Sequence, residues 1–111
     1  MTLGELLQYL DQHTEYQLLD GSPAETLDKA RESSHQDPLA AEIISAMMDK
    51  TGLSSPDESL ERADAVNSLG PVRLKYMADD APVEGFRMVE KLITAIDAAY
   101  NEEALAQRGK A

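Results

Sequence analysis

Three carboxylates, Glu58, Glu61 and Asp64, stand at i, i+3 and i+6 in the stretch SSPDESLERADAV, residues 54–66. On a helix this spacing can turn acidic side chains one way, and converging carboxylates supply the hard oxygen ligands that Mg2+ and Ca2+ take. A metal site inside a helical bundle also needs a second acidic stripe on the facing helix. The rest of the chain offers Glu84 and Glu90, six apart, but no further Glu-x-x-Asp or Glu-x-x-Glu on a core-facing stripe. The acidic run therefore reads as solvated helix surface, and no metal or other cofactor is expected.

The other reactive side chains are few. His13 and His35 are the two imidazoles, neither at a spacing that pairs it with the other or with a nearby carboxylate for zinc, and both are expected on the polar surface. The absence of cysteine removes thiolate ligands, disulfides and a cysteine nucleophile. No G-x-S-x-G elbow occurs, and the six glycines lie singly at turns and caps rather than in a phosphate-binding loop. Acyl carrier proteins are small, acidic and helical, and attach their cofactor to a serine before leucine at a helix start. Glu58-Ser59-Leu60 has the serine and the leucine, but not the family's preceding aspartate or upstream glycine, so no carrier role is assigned to Ser59. Met47-Met48 fits an adaptable groove or, more simply, core filling.

The elements that would position these residues are helices. Leu3, Leu6, Leu7 and Leu10 recur at i, i+3, i+4 and i+7, with Thr2 and Glu5 at capping-box spacing, which predicts a first helix over about 3–12. Asp20-Gly21 breaks the chain, and Ser22-Pro23-Ala24-Glu25 starts a second helix to about Ser33, narrow on its apolar face and therefore peripheral. Asp37-Pro38 opens a third, carrying Ile43, Ile44, Met47 and Met48 and stopped by Gly52. Ser55-Pro56-Asp57-Glu58 repeats the S-P-x-E order of residues 22–25, which makes Ser55 the expected cap of a fourth helix with Leu60, Ala63, Val66 and Leu69 buried and Gly70-Pro71 at its end. Residues 72–77, VRLKYM, alternate as a strand would, but a lone strand has no partner within one chain, so a short helix or connector is expected. Pro82 introduces the longest helix, to about 108, with Gly109 as its cap.

These signals agree on an all-α fold: a compact bundle of four or five helices with a long C-terminal helix, in a single domain over 1–111. Phe86, Val89, Ile93, Ile96 and Tyr100 form one seam on that last helix, wider than the narrow second helix can cover. The seam is either monomer core or the interface of a C2 homodimer. Charge narrows the partners. The formal net charge of −11 is concentrated in residues 1–70, which hold 14 acids and 4 bases. Such a surface is repelled by phosphate backbones and anionic lipid, so neither nucleic acid nor membrane is an expected partner. With no secretory leader pattern and no long apolar run, a soluble cytoplasmic protein is expected. The functional expectation is a small acidic, non-enzymatic binding protein, a regulator, adaptor or small subunit, presenting a negative helical face to a basic protein surface. The alternative is a small carboxylate- or metal-dependent enzyme whose site, using Glu58, Glu61 and Glu90, is assembled across a subunit interface.

Overall fold

A computed structural model describes residues 1–109. Among the described residues the chain is an all-α bundle of six helices, where four or five were expected because α4 and α5 are separate: α1 (Leu3–His13), α2 (Pro23–Arg31), α3 (Pro38–Thr51), α4 (Arg62–Ser68), α5 (Gly70–Tyr76) and α6 (Val83–Arg108). No helix among the described residues is long and apolar enough to cross a membrane.

The first three helices begin where their caps predict. The Thr2 hydroxyl accepts the Glu5 N–H at 3.1 Å while the Glu5 carboxylate accepts the Thr2 N–H at 2.8 Å. Ser22 and Glu25 make the same reciprocal pair in front of α2. Asp37 accepts the Leu39 and Ala40 N–H groups, and α3 ends at Gly52 in the left-handed region, φ 75°. Each device satisfies backbone groups that a helix end leaves without an internal partner. The 26-residue α6, about 39 Å long at 1.5 Å per residue, is the spine of the bundle and packs against α1, α4 and α5. Leu6, Leu7 and Leu10 of α1, Ile43, Ile44 and Met47 of α3, and Leu92 and Ile96 of α6 are fully buried in the core. This aliphatic filling is what a chain with five aromatics can supply.

Three expectations are corrected. Residues 54–61 are not the start of a helix: α4 begins only at Arg62, and Ser55 caps nothing. The segment lies instead as a strap across the front of α1. The Leu3 N–H donates to the Glu58 carbonyl at 3.0 Å, the Gly4 N–H to the Pro56 carbonyl at 2.9 Å, and the Leu60 N–H to the Met1 carbonyl at 2.8 Å. Carbonyls that would have begun a new helix thus serve the open donors of another, so tertiary pairing overrides the local S-P-x-E signal. Close approach requires Gly4, where an added Cβ would lie 2.9 Å from the Pro56 Cβ. The Ser55 hydroxyl accepts only the Asp57 N–H, at 3.3 Å in an exposed turn. Ser55→Ala is therefore expected to change stability by less than about 0.5 kcal/mol in chemical denaturation, rather than the ~1 kcal/mol of a lost N-cap. The buried residues of α4 shift accordingly to Ala65 and Ser68, followed by Leu69, and Ala63 is exposed.

Gly70-Pro71 both ends α4 and starts α5, with proline in the first turn where its missing N–H costs nothing, so VRLKYM is helical. His35 is not a surface residue. It is 6% exposed, its Nδ1 accepts the Asp37 N–H at 2.9 Å, and its Nε2 lies 2.8 Å from the Leu18 carbonyl. Accepting at Nδ1 places the proton on Nε2, which donates to Leu18. The imidazole thus ties the 14–22 connection to the cap of α3.

α2 stops at Arg31 rather than near Ser33, because Ser33 takes a left-handed φ of 58° and the Ser34 N–H reaches back to the Lys29 carbonyl at 2.8 Å. That geometry is usually filled by glycine. Ser33→Gly is expected to remove about 1 kcal/mol of backbone strain and raise the melting temperature by about 4–8 °C. A fall on thermal scanning would show that the serine is not strained.

Candidate functional site

The three carboxylates of the acidic run do not converge. Glu58 folds back to accept the Ser54 N–H at 2.9 Å, Glu61 precedes α4 without making a capping bond, and Asp64 lies in its first turn, all three exposed. Glu90 is engaged elsewhere, by the Arg73 guanidinium at 2.5 Å. No group of three His, Asp or Glu among the described residues is placed to hold a metal ion.

Glu61 and Asp64 lie instead at the end of the bundle where the Leu60 carbonyl meets Tyr100. The phenol donates to the Leu60 carbonyl, and its pKa is pushed up to about 12, first by burial and then by the charges of Glu103, Glu61, Asp64 and Glu5. Four carboxylates from α1, the start of α4 and the far part of α6 are thereby brought to one end of the bundle. Cations are mostly occupied elsewhere: Lys29, Arg31, Arg62, Arg73, Lys75, Arg87 and Lys91 each pair with a carboxylate. At the acidic end the Met1 amino group lies 3.2 Å from Glu103, and Arg62 is drawn to Asp97 at 2.8 Å. Glu61 and Asp64 are left without an ion pair among the described residues.

One carboxylate is structural. Asp20 is buried, and accepts Lys29 Nζ and the Gln36 N–H, each at 2.9 Å. The Lys29 hydrogen bond, then that of the Gln36 backbone, hold its pKa below the ordinary 3.8. A carboxyl depressed in the folded state stabilises fully above its unfolded pKa and loses that effect as pH falls through the folded value. Asp20→Asn should therefore melt below the parent protein at neutral pH, with the gap closing in acid below about pH 4. A gap unchanged down to pH 2 would rule out this role.

The opposite end of the bundle is an elbow between α5 and α6. Tyr76 lies on the backbone of α6 at Gly85, where an added Cβ would come within 2.3 Å of the ring, and its hydroxyl donates to Glu42 of α3, which Lys75 also meets. Those contacts hold the Glu42 carboxyl below its usual range despite burial, which is the largest single influence and acts the other way. A groove of about 460 Å3 runs between α3 and the elbow, with Glu42, Tyr76 and Gly85 along it. Beyond it Met77 and Val83, 52% and 67% exposed, line a recess of about 360 Å3 with Tyr76, Ala81 and Phe86, and Leu74, on the other side of α5 from Tyr76, is 69% exposed. This apolar patch was not among the sequence candidates. Its signal lies in VRLKYM once that stretch is helical: Val72 and Tyr76 share a face, and Leu74 lies about 200° around from Val72.

The seam of α6 is rotated from the expected one. Gly85, Met88, Val89, Leu92, Ile96 and Ala99 form its buried centre, while Phe86, Ile93 and Tyr100 are half-buried along the edge. Val89 and Ile96 are fully enclosed by the chain's own core and unavailable to a second molecule. The chain matches no family model, no curated protein and no solved structure.

Proposed function

We propose that the chain is a non-enzymatic binding protein, a regulator, adaptor or small subunit, whose acidic end docks on a basic surface of a protein partner. The observation that carries this reading is the set of contacts that joins Leu60 to Tyr100 and to Met1, and Met1 to Glu103, which brings the neighbouring carboxylates Glu5, Glu61, Asp64 and Glu103 to one end of the bundle. Like charges held together raise the energy of the free surface, and a basic partner relieves that repulsion while its approach is accelerated by the field. Glu61 and Asp64 project into solvent from the start of α4, so their field is open to a partner.

The test is capture from an extract of the source cells at low salt, followed by binding measurements with the purified partner. Glu61→Lys with Asp64→Lys should weaken binding by about tenfold or more, and raised salt should slow association. Binding unchanged by both the double substitution and salt would reject the acidic end as the contact.

A further inference from the structure

We infer that His35 is a proton-operated latch, which holds the 14–22 connection to the cap of α3 while the imidazole is neutral and releases it in mild acid. Both ring nitrogens have partners that fix their roles. A backbone N–H can only donate, so the bond from Asp37 at 2.9 Å requires a lone pair on Nδ1; a carbonyl can only accept, so the 2.8 Å approach to Leu18 requires the proton on Nε2. The imidazolium carries a proton on each nitrogen. Its Nδ1–H would point at the Asp37 N–H, and the ring has to turn away, which also withdraws Nε2 from the Leu18 carbonyl. Burial adds to the cost, because a ring only 6% exposed gains little hydration for its new charge.

The surrounding charges do not reverse this preference. Asp20 of the connection, Lys29 of α2 and Asp37 in front of α3 are the charged groups around the ring. Asp20 is the anion that would favour a charged imidazole, but its oxygens are taken by Lys29 and the Gln36 N–H, and both ring nitrogens are turned to backbone groups instead. Lys29 offsets its field. Asp37 spends its carboxylate on the Leu39 and Ala40 N–H groups at the positive end of the α3 dipole, where a further positive charge is unfavourable. The latch has leverage because Leu18 is fully buried in a connection without a helix, and the imidazole fastens that residue's carbonyl across 17 positions of sequence.

Once the latch is open, the solvated imidazole binds a proton at about pH 6.5. The closed form is therefore fully favoured above that value and loses ground below it, with the opening equilibrium growing by up to about tenfold per pH unit. Asp20, held below its ordinary 3.8, stays ionised throughout this range. Hydrogen exchange of the Asp37 amide, followed by NMR in the full chain and corrected for intrinsic exchange, reads the opening. Its protection factor should fall about tenfold between about pH 6.5 and 5.5, and the imidazole nitrogen shifts in neutral solution should place the proton on Nε2. In His35→Asn, whose side chain does not titrate, protection of Asp37 should be lower at neutral pH and flat with pH. His13→Asn, at the exposed imidazole, should keep the parent's dependence. Protection independent of pH in the parent chain, a proton on Nδ1, or a pH dependence that survives His35→Asn overturns the inference.

Discussion

Ile96→Glu is expected to prevent folding, giving a chain with little helical circular dichroism and no cooperative thermal transition. Ile96 is 0% exposed, in one cluster with Leu92, Val89 and Ala99. A carboxylate there has no cation to pair with in that cluster, and burying an unpaired charge costs several kcal/mol even after relaxation. The isoleucine's own packing is lost as well, about 2–5 kcal/mol when such a side chain is truncated to alanine. Together these approach the ~5–15 kcal/mol that holds a domain of ordinary stability together. Ile93→Glu, at the half-buried edge of the same helix, should cost markedly less. A well-folded Ile96→Glu monomer would mean that this position faces a second molecule and that the seam of α6 is wrongly placed.

Gly85→Ala is expected to destabilise by about 2–4 kcal/mol in urea, against the ~1 kcal/mol gain that alanine normally gives over glycine inside a helix. The methyl group would arrive 2.3 Å from Cδ1 of the Tyr76 ring and 2.6 Å from its Cγ, atoms near the base of the side chain that no rotation of its far end can clear. The ring must lift, taking with it the hydrogen bond to Glu42 and the closure of α5 on α6. The strain has one named source, so it should vanish with it. In a Tyr76→Ala background, Gly85→Ala should be neutral or favourable, a non-additivity that a double-mutant cycle reads directly. Stabilisation by Gly85→Ala alone would sink the account.

Where a signal was local, the sequence carried it. Thr2, Ser22, Asp37 and Gly52 mark helix ends because their side chains or backbone serve groups within four residues, and all four act as read. The acidic run failed on the same logic. Ser55-Pro56-Asp57-Glu58 has the local chemistry of a cap, but its carbonyls face an α1 terminus more than fifty residues away in sequence, and no short-range pattern encodes that. His35 was misplaced for a related reason: an imidazole becomes core when distant backbone groups meet both its nitrogens. The α6 seam was read one step off, because Phe86 and Tyr100 look like core by size although the smaller Gly85 and Ala99 lie on the centre line. Of the functional surfaces, net acidity was visible in composition. The convergence of Glu5, Glu61, Asp64 and Glu103 was not, since it depends on how three helices are set against one another.

The strap across α1 makes the order of assembly unusual for a helix end. First-turn amides ordinarily fray because nothing holds them, and a helix can form and lose that turn without consulting the rest of the chain. Here the Leu3 and Gly4 amides are held by Glu58 and Pro56, so the beginning of α1 is completed only after the intervening half of the molecule has folded back on it. Closing a loop that long carries an entropy cost that the strap's few hydrogen bonds do not meet alone. The front of α1 is therefore tied to the tertiary fold and shares the fate of the whole domain rather than of its own helix.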